Sequence, residues 1–399
     1  MPLIRNQSTS TVRLTLSRDL TRSLRRGHPW VFADALKHTP DGTAGAHAAL
    51  SDRRGKPIAR GFYDPESPLA FRACTVTRKG YLDDEWAAAQ LEHAVQLRDL
   101  LIDRRITTGY RLFNGEGDGL PGLVVDVYGD TAVLKLDGPA PEGFWDAKGI
   151  AEWVSERLNL SRVYQRDRTR TGPQGRALVG AAPDAPVQFL EHGLRFAADV
   201  VQGQKTGFFL DQRENRQLIR SMAAGRQTLN VFGYTGGFSV YAGAGGATRV
   251  TTVDIAKPAI AASEANMALN GLSACHEAVA EDAFAFLEGA AEAKRSWDLV
   301  ILDPPSFAPN RQSADRAGSA YERLVTAGAR VTAPGGLLAA ASCSSHVGLE
   351  AFTRHVENGV GGARRRATVL GIHQQPSDHP TPLPFQDFRY LKLLLLRLD

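Results

Sequence analysis

Cysteine is scarce in this sequence, and its three cysteines, Cys74, Cys275 and Cys343, stand far apart. Three scattered thiols are too few for a disulfide framework and lack the spacing of a zinc site. The chain also has no run of about eighteen or more apolar residues and no apolar segment of the signal-peptide kind at its N-terminus. These absences predict a protein of the reducing cytoplasm that neither holds a metal nor spans a membrane.

Positive charge is concentrated near the N-terminus. The 399 residues have a net charge of +4, but residues 1–80 contain 14 Lys and Arg against 6 Asp and Glu, a balance of +8, so the other residues sum to −4. Such an asymmetry is typical of a surface that binds nucleic acid. An ordinary solvated basic face is the alternative interpretation.

The pattern of strands and helices changes twice along the chain. Residues 1–80 contain short apolar and polar alternations between glycine turns, which predicts a small β-rich domain. Residues 81–186 begin with a helical pattern and continue with a hairpin and another helix, which predicts a small α+β middle domain. From residue 187 to residue 399 strands and helices alternate, as they do in a doubly wound α/β domain.

The rest of the chain is organised around residues 228–255. A short apolar strand is followed by a glycine turn, a helix-forming run and a second strand that ends at Asp254. This order is that of the nucleotide-binding half of a doubly wound domain, where ligands bind outside the carboxyl ends of the strands. We expect Asp254 to accept hydrogen bonds from the two hydroxyls of a ribose. The residues expected to bind the same ligand in and beside the turn are Tyr234, Thr235, Gly236 and Ile255.

The spacing of the glycines favours one ribose-bearing cofactor. Gly233, Gly236 and Gly237 do not form the G-x-G-x-x-G motif that rests a pyrophosphate on a helix N-terminus, and no basic residue follows as in a P-loop. A turn without phosphate-binding geometry suits S-adenosylmethionine, which has a ribose and an adenine but no phosphate. The alternative is that these glycines serve only a tight connection between strand and helix.

Two further segments extend the predicted cofactor site. Asp282 and Ala283 follow the next predicted strand, where Asp282 could accept from the adenine amino group or simply cap the next helix. Upstream, Asp211 and Glu214 have the spacing of a helix capping box. Capping does not explain Arg213 between them, so we expect Arg213 to reach the cofactor or the substrate.

Two later strands are followed by groups suited to chemistry. The apolar run 299–302 ends in Asp303 and two prolines, which hold the chain extended so that the carboxyl group projects into a cleft with a rigid rim. The next strand ends at Cys343, and because consecutive strands lie side by side about two times in three, we expect the thiol near Asp303. The residues expected to contact a flat heteroaromatic base are Pro304, Pro305 and Phe307.

A thiol and a carboxyl group at one sheet edge predict methyl transfer to C5 of a pyrimidine. Attack of the Cys343 thiolate on C6 would make C5 nucleophilic. A protonated Asp303, whose pKa an apolar pocket would have to raise, could neutralise the charge that develops towards N3. A base would then remove the C5 proton. A small buried hydrophobe is the alternative role for Cys343.

Several motifs resemble those of the bacterial-type 23S ribosomal RNA cytosine-C5 methyltransferase family: FFLDQREN, NVFGYTGGFS, VDIA, EDAF, LDPPSF and SCSS. In addition, GHPWVFADAL is similar to the start of that family's N-terminal PUA domain, and GEGDGLPGLVVD to its middle domain. The resemblance implies S-adenosylmethionine as methyl donor, ribosomal RNA as substrate and a cysteine nucleophile at position 343. Other RNA cytosine-C5 enzymes have a second cysteine where this chain has Ser306. The expected fold is α/β, a C-terminal doubly wound Rossmann-like methyltransferase domain preceded by a small β-rich PUA domain and a small α+β middle domain.

Two other functions fit the same residues. Relatives with a similar motif order methylate guanine, and a methyltransferase acting on guanine or on an exocyclic amine would need Asp303 and the two prolines but not Cys343. An RNA-binding protein whose adenosine-binding fold is vestigial or regulatory is the alternative from a different class. A homodimer is compatible with all three functions, and the sequence does not predict the oligomeric state.

Overall fold

The computed structural model describes residues 1–5, 11–76, 81–167, 175–307, 314–385 and 388–399, without the side chains of residues 314–316. The chain divides into two compact units, neither of which is continuous in sequence. The first unit comprises Met1–Leu190, Ala198–Leu210 and Ser377–Gln386, and the second comprises Glu191–Ala197, Asp211–Pro376 and Asp387–Asp399. The predicted division into residues 1–80, 81–186 and 187–399 stays a prediction, and residues 77–80 at its first boundary lie outside the described ranges.

The first unit begins with a five-stranded sheet of order β1-β3-β4-β5-β2. Strand β1 is parallel to β3, and the other pairs are antiparallel. The buried side chains of Leu14, Leu50 and Phe71 belong to the core of this sheet. The elements are β1 (Val12–Thr15), α1 (Thr21–Arg25), β2 (Trp30–Val31), β3 (Ala46–Ser51), β4 (Pro57–Tyr63) and β5 (Phe71–Thr75). The β-rich N-terminal fold predicted from the sequence is therefore confirmed.

A second five-stranded sheet, of order β10-β9-β8-β7-β6, lies in the same unit. Its hairpin turn at Gly129 needs a positive φ of 59°, which glycine adopts without strain. The elements are α2 (Asp84–Leu101), β6 (Gly109–Asn114), β7 (Leu123–Tyr128), β8 (Thr131–Leu136), α3 (Pro139–Phe144), α4 (Ala147–Leu158), β9 (Arg162–Arg166) and β10 (Gly175–Val179). A two-stranded sheet follows, formed by β11 (Val187–Glu191) and β12 (Leu194–Ala198).

A late segment of the chain belongs to the first unit. The carbonyl oxygen of Asp378 accepts a hydrogen bond of 2.8 Å from Arg98 Nη2, and its Oδ2 accepts one of 3.0 Å from the backbone N–H of Arg111. The carbonyl of Pro380 accepts from Asn114 Nδ2 at 2.8 Å. Polar contacts of this kind, made across more than two hundred residues of sequence, could not be predicted from local patterns.

The second unit is built on a seven-stranded sheet of order β15-β14-β13-β16-β17-β19-β18. Neighbouring strands from β15 to β17 are parallel, and β19 is antiparallel to β17 and to β18. The strands are β13 (Gln227–Val231), β14 (Arg249–Asp254), β15 (His276–Ala280), β16 (Trp297–Leu302), β17 (Thr332–Ser342), β18 (Ala367–His373) and β19 (Lys392–Leu398). The helices are α5 (Arg213–Met222), α6 (Gly237–Ala244), α7 (Lys257–Leu269), α8 (Ala283–Glu292), α9 (Ala314–Val331) and α10 (Leu349–Gly362).

The order of these strands reverses between β13 and β16. From β13 the sheet grows to one side through β14 and β15, and from β16 it grows to the other side through β17. In open α/β sheets the ligand crevice lies at such a switch point, outside the carboxyl ends of the strands. The predicted doubly wound architecture is confirmed, and the ends of β13, β14, β15, β16 and β17 are where the candidate site residues stand.

Candidate cofactor and catalytic site

The turn between β13 and α6 has a strained backbone. Phe232 and Tyr234 have positive φ angles of 60° and 46°, which residues other than glycine rarely adopt. Gly236 has a φ of 77°, and a Cβ there would lie 2.8 Å from the Cβ of Ser263 on α7. Strain of this kind clusters at ligand sites, because the surrounding structure must hold it in place. Both the backbone conformation and the close packing therefore require glycine at position 236.

The carboxylate of Asp254 holds this turn. Its Oδ2 accepts a hydrogen bond of 2.9 Å from the backbone N–H of Tyr234, and its Oδ1 accepts one of 2.9 Å from the N–H of Ala256. Each carboxylate oxygen can accept two hydrogen bonds, so the half-buried group keeps capacity for hydroxyl donors. Beside it the side chain of Ile255 is 71% exposed and offers an apolar surface at the end of β14.

Thr235 has a buried hydroxyl that lacks a hydrogen-bond partner within the described part of the chain. The residue is 8% exposed, and its carbonyl oxygen accepts a bond of 2.9 Å from Asn266 Nδ2, which fixes the peptide. An unpaired buried hydroxyl costs about 1–3 kcal/mol, so a polar ligand that bonds to it is favoured. The unpaired hydroxyl and the exposed apolar surface of Ile255 fit a ligand with both a polar ribose and a flat base.

Asp282 caps α8. Its Oδ1 accepts hydrogen bonds of 3.0 Å from the N–H groups of Phe284 and Ala285. Asp282 is therefore an N-cap residue, which was the alternative prediction. A contact between its second carboxylate oxygen and the adenine amino group stays a prediction. Because β15 is the parallel neighbour of β14, Asp282 and the buried Ala283 follow a strand end adjacent to that of Asp254.

The predicted capping box around Arg213 is wrong. The N-cap residue of α5 is Gln212, which makes no side-chain capping bond. A short 3-10 turn precedes the helix, and Asp211 Oδ2 accepts a hydrogen bond of 2.6 Å from the hydroxyl of Tyr390. Glu214 does not reach back to a capping position, because its Oε1 lies 3.0 Å from Nε of Arg213.

Arg213 is itself buried, with 3% of the residue exposed. A hydrogen bond from His192 and the positive charge of Arg213 lower the pKa of Glu214 to about 2, so the ion pair is charged at neutral pH. A buried guanidinium needs such a partner to offset its desolvation. The pair holds Arg213 at the start of α5, and the predicted contact between Arg213 and the cofactor stays a prediction.

Asp303 and Cys343 follow neighbouring strands. Strands β16 and β17 pair in parallel with Leu302 opposite Ala340, so the prediction that these consecutive strands lie side by side is confirmed. Asp303 comes directly after Leu302, and Cys343 comes directly after the last residue of β17. Both side chains are half-buried, as groups at the edge of a crevice should be. After Asp303, Pro304 is buried, whereas Pro305 is exposed.

Hydroxyl groups connect these two strand ends. Ser306 Oγ and Ser344 Oγ are 2.9 Å apart. The hydroxyl oxygen of Tyr321, on α9, lies 3.1 Å from Ser344 Oγ and 2.8 Å from Ser342 Oγ. The residues on both sides of Cys343 are therefore held by hydrogen bonds, which restricts the direction of the thiol.

Tyr321 interacts with several predicted site residues. Its ring centroid is 5.0 Å from that of Phe307. Burial raises the pKa of its hydroxyl, and negative charge on Cys343 and on Asp303 raises it further. The hydroxyl therefore stays protonated at neutral pH and can donate a hydrogen bond. Both candidate catalytic groups lie within electrostatic reach of Tyr321, and Phe307 lies against its ring.

Lys392 is a functional candidate that the sequence patterns did not reveal. It begins β19 opposite Ser342 and is 2% exposed. Its Nζ donates to the carbonyl oxygens of Ser344 at 2.7 Å and Val347 at 2.6 Å. Burial lowers the pKa of Lys392 to about 8, and negative charge on Cys343 acts against that shift. The available indication was a lysine directly before four leucines, which periodicity alone does not connect to Cys343.

The other two cysteines have different surroundings. All three cysteines are present as thiols. Burial raises the pKa of Cys74 and of Cys275, and the sulfur of Cys275 donates to the carbonyl of Leu272 at 3.2 Å. Within the described ranges, His, Cys, Asp and Glu side chains form no group of three or more that could hold a metal ion. Helices in those ranges are too short or too polar to cross a membrane.

Known proteins match the chain along most of its length. A family model described as an S-adenosylmethionine-dependent methyltransferase matches residues 153–361, and a PUA-like domain model matches residues 14–75. The "Ribosomal RNA large subunit methyltransferase" of Deinococcus radiodurans is 40% identical over 408 residues, which cover 98% of each chain. The "Ribosomal RNA large subunit methyltransferase I" of Shewanella denitrificans is 33% identical over 396 residues, which cover 97% of this chain and 99% of that one.

Solved structures have the same architecture. A putative methyltransferase, SMU.776, complexed with SAH is similar over 97% of this chain and 100% of its own, with a TM-score of 0.86 and 25% identity. A putative SAM-dependent methyltransferase from Streptococcus mutans has a TM-score of 0.84 and 26% identity over the same shares. S-adenosylmethionine is therefore the cofactor, and the turn at Thr235 fits it. The chain belongs to the S-adenosylmethionine-dependent methyltransferase family and has a PUA-like domain at its N-terminus.

Proposed function

We propose that this protein transfers a methyl group from S-adenosylmethionine to C5 of a cytosine in 23S ribosomal RNA, through a covalent bond between Cys343 and C6 of the base. The position of Cys343 is the main support, because a half-buried thiol follows β17 beside the strand β16, which is followed by Asp303. Methylation of guanine or of an exocyclic amine needs no thiol at this place. The relatives named as ribosomal RNA large subunit methyltransferases support ribosomal RNA as the substrate.

Cys343 and Asp303 have complementary parts in this mechanism. The thiolate forms a bond to C6, and the electron pair of the C5–C6 double bond moves towards C5 and N3. Asp303, in its protonated form, donates a proton at N3 and neutralises the charge. When bound, S-adenosylmethionine supplies a methyl group on a positively charged sulfur. Once C5 carries the methyl group, a base removes the C5 proton, the C5–C6 double bond re-forms and Cys343 leaves as a thiolate. The N3 proton returns to the carboxylate of Asp303.

The cofactor contacts in this proposal use the ends of β13, β14 and β15. Asp254 accepts from the ribose hydroxyls, Thr235 bonds to the cofactor through its unpaired hydroxyl, and Ile255 packs against the adenine. Asp282 accepts from the adenine amino group through its second oxygen. The full set proposed to bind the cofactor is Arg213, Tyr234, Thr235, Gly236, Asp254, Ile255, Asp282 and Ala283.

The base is proposed to bind against the segment after β16. Pro304 and Pro305 provide a rigid edge without backbone donors. Phe307 provides an aromatic face, and its ring contact with Tyr321 supports a fixed orientation of that face. A base held there would lie beside both strand ends, which is the position that attack by Cys343 requires.

The N-terminal PUA-like domain is proposed to capture the RNA. Its exposed Arg25 and Arg53 both interact electrostatically with Asp19, and the ammonium of Lys37 donates to the carbonyl of Arg53 at 3.1 Å. We call Arg25, Lys37 and Arg53 the basic patch. Clustered cations of this kind bind phosphates through release of counterions. We also propose that the chain has three domains, with boundaries after residues 80 and 186. RNA capture is assigned to the first domain, residues 1–80.

A homodimer is also proposed, with β18 as its contact. This strand is the last in the order of its sheet and exposes Val369, Leu370 and Ile372, which are about half accessible. An exposed apolar edge strand can pair with another chain. Sedimentation of the protein, and of a variant with Leu370→Lys, tests this association. A wild-type protein that sediments as a monomer at all concentrations would contradict it.

The experiment that tests the function is mass spectrometry of nucleosides from ribosomal RNA incubated with the protein and S-adenosylmethionine. The proposal expects 5-methylcytidine that is absent without the protein. A methylated guanine or a methylated exocyclic amine would replace the proposal with the alternative enzyme. RNA that binds the protein but gains no methyl group under any condition would support the vestigial function.

A further inference from the structure

We infer that Lys392 is a positioning residue for Cys343, which holds the turn after the cysteine in place and favours the thiolate over the thiol. The inference rests on the proposed function in one respect, because it takes Cys343 as the nucleophile. It adds a residue from β19, whose contribution to the site no sequence motif indicates. Its basis is the set of contacts that Lys392 makes within the second unit.

The ammonium group of Lys392 is enclosed by the chain that follows Cys343. It donates to the carbonyl oxygen of Ser344, the next residue, at 2.7 Å and to that of Val347 at 2.6 Å. Residues 344–347 therefore bend around Nζ. The antiparallel pairing of Lys392 with Ser342 places the lysine one residue from Cys343 across the sheet. Contacts on both sides of the cysteine determine where its sulfur points.

The charge of Lys392 is the second part of the inference. Both of the carbonyl partners are neutral, so they solvate the ammonium without cancelling its charge. Charges interact more strongly in a buried site than in water, because the local dielectric constant is lower. Negative charge on Cys343 favours the protonated form of Lys392. By reciprocity, protonated Lys392 favours the thiolate of Cys343.

Among the titratable groups that the structure describes near Cys343, Lys392 is the one that can stabilise its thiolate. Three elements place such groups around Cys343: Asp303 after β16, Tyr321 on α9 and Lys392 on β19. Asp303, when ionised, disfavours a thiolate, and Tyr321 stays neutral at physiological pH because burial raises its pKa. Of these three groups, the lysine is the cation, and a thiolate is the nucleophilic form of cysteine.

The pH dependence of Cys343 alkylation tests this inference without RNA or methyl transfer. Iodoacetamide reacts with the thiolate, so the rate of modification at Cys343, measured by peptide mass spectrometry between pH 6 and pH 10, gives the midpoint of its titration. In Lys392→Met the midpoint should rise by roughly one unit, which slows alkylation about ten-fold at pH 7. Lys392→Arg, which keeps the charge, should retain most of the wild-type rate. Cys275, in the same digest, should react equally in all proteins.

Two controls separate charge from structural damage. Tyr321→Phe removes hydrogen bonds to Ser342 and Ser344 without removing a charge, so it should leave the midpoint unchanged. Lys392→Gln keeps donors for the carbonyl groups but loses the charge, so it should raise the midpoint as Lys392→Met does. An unchanged midpoint in both uncharged variants would overturn the inference.

The wild-type protein provides a test even where the variants do not fold. If Lys392 favours the thiolate, Cys343 should titrate below the value of about 8.5 that is usual for a free cysteine. A wild-type midpoint at or above that value would contradict the inference. The alkylation profile is independent of methyl transfer, so an inactive Cys343→Ala variant tests the proposed function and this titration tests Lys392.

Discussion

The hydroxyl oxygens of Ser306 and Ser344 lie 2.9 Å apart. Ser306 follows the two prolines after β16, and Ser344 follows Cys343 after β17, so this hydrogen bond joins the two segments that hold the candidate catalytic groups. By the motif resemblance, RNA cytosine-C5 enzymes of other families have a second cysteine at the position of Ser306. In this chain the position is occupied by a hydroxyl that contributes to the alignment of the site.

Replacing Ser306 tests this alignment. Ser306→Ala should lower the rate of methyl transfer about five- to ten-fold, because a hydrogen bond of this kind contributes about 1 kcal/mol. S-adenosylmethionine affinity should not change, since the cofactor residues stand at other strand ends. Ser345→Ala, at an exposed neighbouring serine, is the matched control and should be fully active. Equal rates for the two variants would show that the bond is dispensable.

Asp254 should strengthen cofactor binding. Asp254→Ala removes the acceptor proposed for the ribose, and a hydrogen bond to a charged group contributes about 1.5–3 kcal/mol. Calorimetry should therefore show an S-adenosylmethionine affinity lower by roughly ten- to a hundred-fold. Glu264→Ala, at an exposed acid on α7, should bind normally. Unchanged affinity in Asp254→Ala would remove this residue from the site.

Replacing Thr235 should leave the stability of the cofactor-free protein the same or higher and should lower its affinity for S-adenosylmethionine. Thr235→Val removes a buried hydroxyl that has no partner in the described part of the chain, so the cofactor-free protein should unfold at the same or a higher temperature. The same change should weaken S-adenosylmethionine binding, because the proposed bond to the hydroxyl can no longer form. Thermal unfolding with and without cofactor measures both effects. A variant that keeps the full thermal shift on cofactor addition would exclude Thr235 from the cofactor site.

The basic patch should govern RNA affinity. Replacing Arg25, Lys37 and Arg53 by alanine should weaken RNA binding and flatten its salt dependence, by about 0.7–0.9 units of log–log slope for each phosphate that is no longer neutralised. Cofactor affinity should remain the same. The control replaces three exposed arginines of the second unit, Arg323, Arg330 and Arg354. If this control weakens binding as much as the patch variant does, the effect reflects total charge and not the patch.

The central strands could be predicted from sequence because their patterns are local. Buried parallel strands are largely apolar runs, and those at residues 229–232 and 299–302 are followed by a glycine turn and a proline turn. The final run, the four leucines at residues 393–396, is also apolar, but periodicity does not distinguish a strand from a helix segment in so short a run. Its antiparallel position beside β17 depends on tertiary contacts.

The contribution of Lys392 could not be predicted for the same reason. Its contact with the turn after Cys343 depends on the register that pairs it with Ser342, fifty residues earlier in the chain. The failed capping box at Asp211 has a similar cause, since the carboxylate bonds to Tyr390 across the unit. Short motifs predicted which residue types stand at strand ends, whereas the partners of those residues were determined by long-range packing.

Cys343 is the residue whose replacement decides between carbon and nitrogen methylation. Cys343→Ala should abolish methyl transfer and leave cofactor and RNA binding intact, because neither ligand needs the sulfur for affinity. Cys275→Ala, whose thiol donates to a backbone carbonyl, is the matched control and should be fully active.

RNA that contains 5-fluorocytidine makes the covalent step visible. Fluorine replaces the proton that must leave C5, so the methylated adduct cannot collapse and the bond between Cys343 and C6 should persist through denaturing electrophoresis. Peptide mapping should assign this bond to Cys343 and not to Cys275. An acceptor nitrogen in guanine or an amine would attack the methyl group directly and form no adduct. Methyl transfer by Cys343→Ala at the wild-type rate would therefore rule out the covalent mechanism, and nitrogen methylation would take its place.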